Sequence, residues 1–293
     1  MAQSYLRYQS GDALKVCIRD AVFAPCYNRN VSSPAEPQLS ELPAPRPWPL
    51  SPEPEPVFGL RAVVFAYLGL LLAFVLFGKA AIAWAHHLPA FSRIPPDDLL
   101  LNPRVMLPAQ LGGYVALLAG LRLWFGYRRG VGLLPALSWR WPLRWLRFLA
   151  AGAALGMAVQ FASHWLPTPP NLPIDKMLRN ATDAWLMSAF GVLIAPFAEE
   201  VLFRGLLFPA LSRRTGALAA LLGTSLLFGA VHAGQLAGAW PLVACIALVG
   251  AMLTLVRWHF HSLASSTLVH MGYNAVLFAS IFVQTRGFTH LTK

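Results

Sequence analysis

Glu199, Glu200 and Arg204 lie in APFAEEVLFRG, residues 195–205, a stretch otherwise apolar enough for a membrane helix. No other acidic residue occurs between position 184 and the C-terminus. An ionisable side chain at mid-membrane costs about 2.5–3.5 kcal/mol on insertion scales, so each one calls for a partner or a task. In the last four apolar runs these groups are Glu199, Glu200, Arg204, His232 and His270, with Asn274 as a neutral companion. His164, His259, His261 and His290 fall near helix ends, in loops or in the tail, where interfacial placement accounts for them.

Spacing divides the set. Glu200 and Arg204 stand at i and i+4, so on a helix they pair and partly neutralise each other. Glu199 is turned away by about 100° and faces a different neighbour. His270 and Asn274 share one helix face at the same spacing, and Phe228 and His232 repeat it. Gly223, Gly229, Ala230, Ala233 and Gly234 flank His232, and small residues permit close helix approach in lipid.

A carboxylate beside an imidazole in a water-poor cavity is what general acid–base work on water requires. Other chemistry stays open at this point. The groups could be polar glue between helices. Glu199, His232 and His270 could supply three zinc ligands, although no HExxH motif is present. Ser225 precedes His232 on the same helix and could be a serine nucleophile. An aspartyl protease is excluded, because no aspartate follows Asp183. The remaining reading has Glu199 and His232 activating water, with His270 and Asn274 as donors to an oxyanion.

The elements that must position these residues follow from composition. Of 293 residues, 57% are hydrophobic and only 12% charged, against about 25% charged in soluble domains. The expected fold is all-α, a polytopic membrane helical bundle of about seven transmembrane helices. They run near 60–84, 106–126, 146–166, 184–211, 217–236, 239–257 and 262–283. Pro196 removes a backbone donor inside the fourth and marks a candidate break. The net charge of +11 resides largely at the ends of apolar runs, which argues for membrane anchoring and against nucleic acid.

Arg128, Arg129, Arg140 and Arg144 follow the second helix, Arg213 and Arg214 the fourth, and Arg257 closes the sixth. The connections after the third and fifth helices carry two basic residues, Lys176 and Arg179, and none, respectively. By the positive-inside rule the N-terminus is cytoplasmic and the C-terminus outside, in a multi-pass protein of the inner membrane if the cell is bacterial. Residues 1–32 are mixed and polar, without the apolar core of a secretory signal. Residues 33–56 hold nine prolines and read as an extended linker, a candidate docking segment for a protein partner. Cys17, Cys26 and Cys245 form no CxxC pair or zinc-ribbon spacing. The triplet at 180–182, NAT, fits a glycosylation sequon.

Three motifs stand in order on successive membrane helices: EEVLFR (Glu199–Arg204), FGAVH (Phe228–His232) and HMGYN (His270–Asn274). Together they resemble the CPBP family, which comprises CAAX-type prenyl-protein endopeptidases and related Abi, bacteriocin-processing and immunity proteins. The resemblance spans roughly residues 184–283 and implies a catalytic core of four helices there. The three helices within 57–183 and the tail 284–293 match no motif.

For these positions the resemblance implies a glutamic-type intramembrane endopeptidase acting on a protein or peptide substrate in contact with membrane lipid. Glu199 resembles the general base that activates water with His232, and His270 with Asn274 the pair that holds the oxyanion. Glu200 and Arg204 resemble a supporting pair, with Phe228 beside the site. No cofactor is expected, with zinc on Glu199, His232 and His270 as the alternative. A non-catalytic protein on the same scaffold, with an immunity, chaperone-like or proton-coupled role, is the other reading. Nothing in the chain reads a prenyl group or a C-terminal motif.

Overall fold

A computed structural model describes residues 5–9, 14–18, 27–28, 56, 58–167, 169 and 175–291. The proline-rich segment 33–56 therefore lies outside the described residues, apart from Pro56. The chain divides into two compact units, Met1–Pro49 and Leu50–Lys293. The first carries three short antiparallel strands, β1 (Tyr5–Gln9), β2 (Leu14–Ile18) and β3 (Tyr27–Asn28), ordered β1-β2-β3. Tyr5 stands opposite Ile18 and Gln9 opposite Leu14. The sequence signals for these strands are short and weak, and the reading of residues 1–32 does not include them.

The second unit is the helical polytopic bundle expected from composition. Its main helices are α1 (Leu60–His86), α2 (Pro103–Arg129), α3 (Trp145–Ser163), α4 (Ala181–Thr215), α5 (Ala217–Val231), α6 (Trp240–Phe260) and α7 (Leu263–Gln284). Six of them are long and apolar enough to cross a membrane. The exception is α5, whose 15 residues rise only about 22 Å against a hydrocarbon core of about 30 Å. It ends five residues before the expected boundary. The chain turns through Gly234, then through Ala237 and Gly238 with φ of 50° and 69°, so His232 caps the helix instead of lying within it.

Helix α4 is not broken at Pro196, but its register changes twice. It is α-helical over Ala181–Ala189, π-helical over Phe190–Ile194, α-helical over Ala195–Glu200, π-helical over Val201–Leu207 and α-helical again over Phe208–Thr215. Each π segment ends two residues before a proline, Pro196 and Pro209. A proline has no N–H for the i−4 carbonyl and its ring crowds that oxygen. Widening the turn to i−5 relieves the crowding while the axis continues. Both glutamates sit on the single α segment between the two wide turns.

Helix ends are fixed by side chains. Asn102 caps α2 and Asn180 caps α4, accepting from Arg104 N and Asp183 N respectively. Arg104 Nε then donates to Asp183 Oδ1 at 2.9 Å, tying the two starts together. Asn180 Nδ2 also donates to Asp183 Oδ2 at 2.8 Å, so both polar atoms of the sequon asparagine are engaged in the cap. Ser262 caps α7 and donates to Arg140 O, while Leu263 N donates to Ser138 O at 3.1 Å.

Lipid is as apolar as leucine, so helix pairing here depends on close fit. The GAALG stretch, Gly152 to Gly156 on α3, lies against α7: a Cβ at Gly152 would strike the Val269 carbonyl, and one at Gly272 the Leu149 carbonyl. On α5 the close approach is at Gly229, where a Cβ would sit 2.9 Å from Ala247 Cβ of α6. Gly234, expected to help, faces open space. Val63, Leu70, Leu117, Leu121, Phe125 and Leu206 form the core where α1 and α2 meet α4.

Candidate active site

The packing of α4, α5, α6 and α7 brings the expected residues into two linked clusters. In the first, Glu199 Oε2 lies 3.9 Å from His232 Nε2 and 3.8 Å from His270 Nε2. Both separations exceed a direct hydrogen bond of about 2.7–3.2 Å. Glu199 keeps 22% of its side chain exposed and His232 19%, while His270 keeps 4%. The carboxylate therefore faces two imidazole nitrogens across a space that is still accessible.

The second cluster is fully enclosed. Arg204 Nη1 donates to Glu200 Oε1 at 2.8 Å, and neither side chain has any exposure. The same guanidinium donates from Nε to Thr254 Oγ1 at 3.2 Å and from Nη2 to Gly250 O at 2.8 Å. Its Cζ lies 4.4 Å from the Phe228 ring centroid, a cation–π contact. Gly250 leaves room for this, since a Cβ there would come within 3.0 Å of the Phe228 ring.

His270 joins the clusters. Its Nδ1 donates to Glu200 Oε1 at 3.1 Å, and its Nε2 faces Glu199. A carboxylate only accepts, so Nδ1 carries a proton. To donate from Nε2 as well, His270 must be the imidazolium. His232 is fixed differently: its Nδ1 donates to Phe228 O at 2.7 Å, which leaves Nε2 of the neutral ring as an acceptor toward Glu199. Phe228 fills the gap between the two imidazoles, its centroid 4.8 Å from that of His232 and 5.7 Å from that of His270.

Asn274 makes its hydrogen bond elsewhere: Nδ2 donates to Gly191 O, in the first π segment of α4, at 2.6 Å. Ser225 donates to Leu221 O at 2.7 Å within its own helix and is buried. Among the described residues, no group of three or more His, Cys, Asp or Glu is arranged to hold a metal ion.

An apolar cavity of about 380 Å³ is lined by α2, α4 and α7. Leu111, Tyr114, Trp139, Phe197, Ala198 and Met271 are among its walls. Ala198 precedes Glu199 and Met271 follows His270 in the chain, while Glu199, His232 and His270 themselves are not among its walls. Tyr114 of α2, among those walls, is stacked at 18° on Phe190 of α4. Tyr114, Thr254 and Gly250 belong to none of the motifs. A tyrosine or threonine in an apolar run is an ordinary residue until tertiary contact shows what it touches.

Residues 181–276 match the family model described as type II CAAX prenyl endopeptidase, Rce1-like. No curated protein matches the chain. Nor does any solved structure.

Proposed function

We propose that the chain is a glutamic intramembrane endopeptidase of the CPBP family, the CAAX-type membrane proteases, on the match of residues 181–276 to the type II CAAX prenyl endopeptidase model. The observation that carries the reading is Glu199 Oε2 at 3.9 and 3.8 Å from two histidine nitrogens. Gaps of this width between Glu199 and each imidazole are spans that a bridging water closes. Glu199 takes a proton from that water as its oxygen attacks the peptide carbonyl carbon. His232, with its Nδ1 proton committed to Phe228 O, accepts the second water hydrogen at Nε2 and orients the nucleophile.

The oxygen of the resulting tetrahedral intermediate faces Nε2 of His270. With Nδ1 held by Glu200, an N–H at His270 Nε2 is the donor such an oxyanion needs. One N–H of Asn274 is bonded to Gly191 O, and the second is the further donor implied by the family. Collapse breaks the C–N bond, and the proton held by Glu199 passes to the leaving amine. Glu200 and Arg204 hold His270 in place. The apolar cavity beside Ala198 and Met271 takes the apolar part of the substrate, a prenyl chain or a hydrophobic side chain.

Purified wild type, Glu199→Ala and His232→Ala, compared on an isoprenylated and an unmodified peptide, test this reading. Loss of about 100-fold or more in kcat for both variants is expected. Cleavage by either at the wild-type rate would sink it. Chelation that abolishes cleavage, with metal co-purifying at one equivalent, would instead support the zinc form. Comparing protein N-termini from cells with wild type and Glu199→Ala would name the natural substrate.

A further inference from the structure

Asn274 and Pro196 converge on one backbone carbonyl. In an α-helical register Gly191 O would accept from Ala195 N. In the π register Ala195 N donates to Phe190 O instead. The next donor in that wider ladder would be residue 196, which is proline and has none. Gly191 O is thus deprived of both helical donors, in an interior where an unpaired carbonyl is costly. Asn274 Nδ2 supplies the missing hydrogen at 2.6 Å.

The approach that permits this bond is also built in. Gly191 has no side chain where α7 crosses it, and a Cβ there would lie 2.5 Å from Phe278 Cε2. Phe278 is one turn beyond Asn274 on α7. The bond weighs most in the π register, where the Gly191 carbonyl has no helical donor, whereas in the α register it would be a second bond to an oxygen already paired. Pro196 disfavours the α form by crowding Val192 O. The two residues press the same equilibrium from opposite sides.

The register matters because Glu199 follows the wide turn. One residue gained or lost in a helix rotates everything beyond it by about 100°. Such a rotation would carry Oε2 away from the two imidazoles it now faces at 3.8–3.9 Å. We propose that the Asn274–Gly191 bond is a register latch, which holds the Phe190–Ile194 turn in its π form and thereby aims Glu199 at His232 and His270. Asn274 is then a positioning residue, whatever its second N–H does in the oxyanion site. The link to Glu199 rests on the endopeptidase reading above; the latch itself does not.

The test is a double-mutant cycle of Asn274→Ala and Pro196→Ala in the full chain, in detergent. It is read by melting temperature, by hydrogen–deuterium exchange over 188–200, and by peptide cleavage. Asn274→Ala should lower the melting temperature by roughly 2–4 °C, raise exchange over 190–200, and reduce kcat about 100-fold. With Pro196→Ala the restored N–H serves a carbonyl in either register, so the stability and exchange effects of Asn274→Ala should shrink. Effects of equal size in both backgrounds would overturn the latch, as would wild-type exchange in Asn274→Ala alone. Wild-type cleavage by Asn274→Ala would overturn its role in aiming Glu199. Cleavage by wild type no greater than by Glu199→Ala would count against the endopeptidase reading, leaving the latch to be judged on melting and exchange.

Discussion

Arg204 meets four groups at once: Glu200, Thr254, the Gly250 carbonyl and the Phe228 face. That satisfies a fully buried guanidinium in an apolar interior, where a lone charge would be prohibitive. Removing it leaves Glu200 buried without its guanidinium partner. Arg204→Leu is expected to destabilise the helical unit by about 3–5 kcal/mol, read as a lower melting temperature in detergent. Arg204→Lys should fall between, because a point ammonium cannot reach the same spread of acceptors. An Arg204→Leu protein melting with the wild type would show that the pair is dispensable. The i,i+4 pairing of Glu200 and Arg204 is plain from spacing. That Glu200 also carries His270 is not, since 70 positions separate them.

At the scale of elements, prolines and glycines do most of the positioning. Pro196 and Pro209 each follow a π turn, so the expected break in α4 becomes a change of register on either side of the glutamates. Proline marks where a ladder bond is missing, but only the neighbouring helix decides how the chain absorbs the loss. Glycines divide by what a methyl group would meet. Gly152→Ala forces a Cβ into the α7 backbone and should cost on the order of 1–3 kcal/mol through overpacking. Gly234→Ala enters open space and should melt as wild type does. Equal melting temperatures for the two variants would mean that the α3–α7 crossing is not as close as described.

For the whole molecule, the open question is direction across the membrane. By the positive-inside rule the Arg213–Arg214 end of α4 is expected on the cytoplasmic side. Helix α5, 15 residues long, leaves from there. In a chain with its native cysteines replaced, Thr215→Cys is expected to react with an impermeant thiol reagent only from the cytoplasmic side. Ala237→Cys should react only from the outer side. Labelling of both from one side would contradict the seven-crossing arrangement. The strands β1 to β3 and the helices form separate compact units. A chain beginning at Leu50 is therefore expected to keep the melting temperature of the helical unit, by intrinsic fluorescence.

The sequence by itself determined the class of molecule and the inventory of its site. Seven apolar runs, the arginines at their ends and six polar groups in apolar surroundings are local facts, and local spacing is enough to pair Glu200 with Arg204. The tertiary structure alone decided which groups face one another. Both nitrogens of His270 meet glutamates from α4, and the Asn274 amide reaches a carbonyl 83 positions away. Helical period fixes direction only within one helix. A π turn resets that direction, and glycine crossings set which helices meet, so the partnership of Glu199 with two histidines became legible only once the helices were packed.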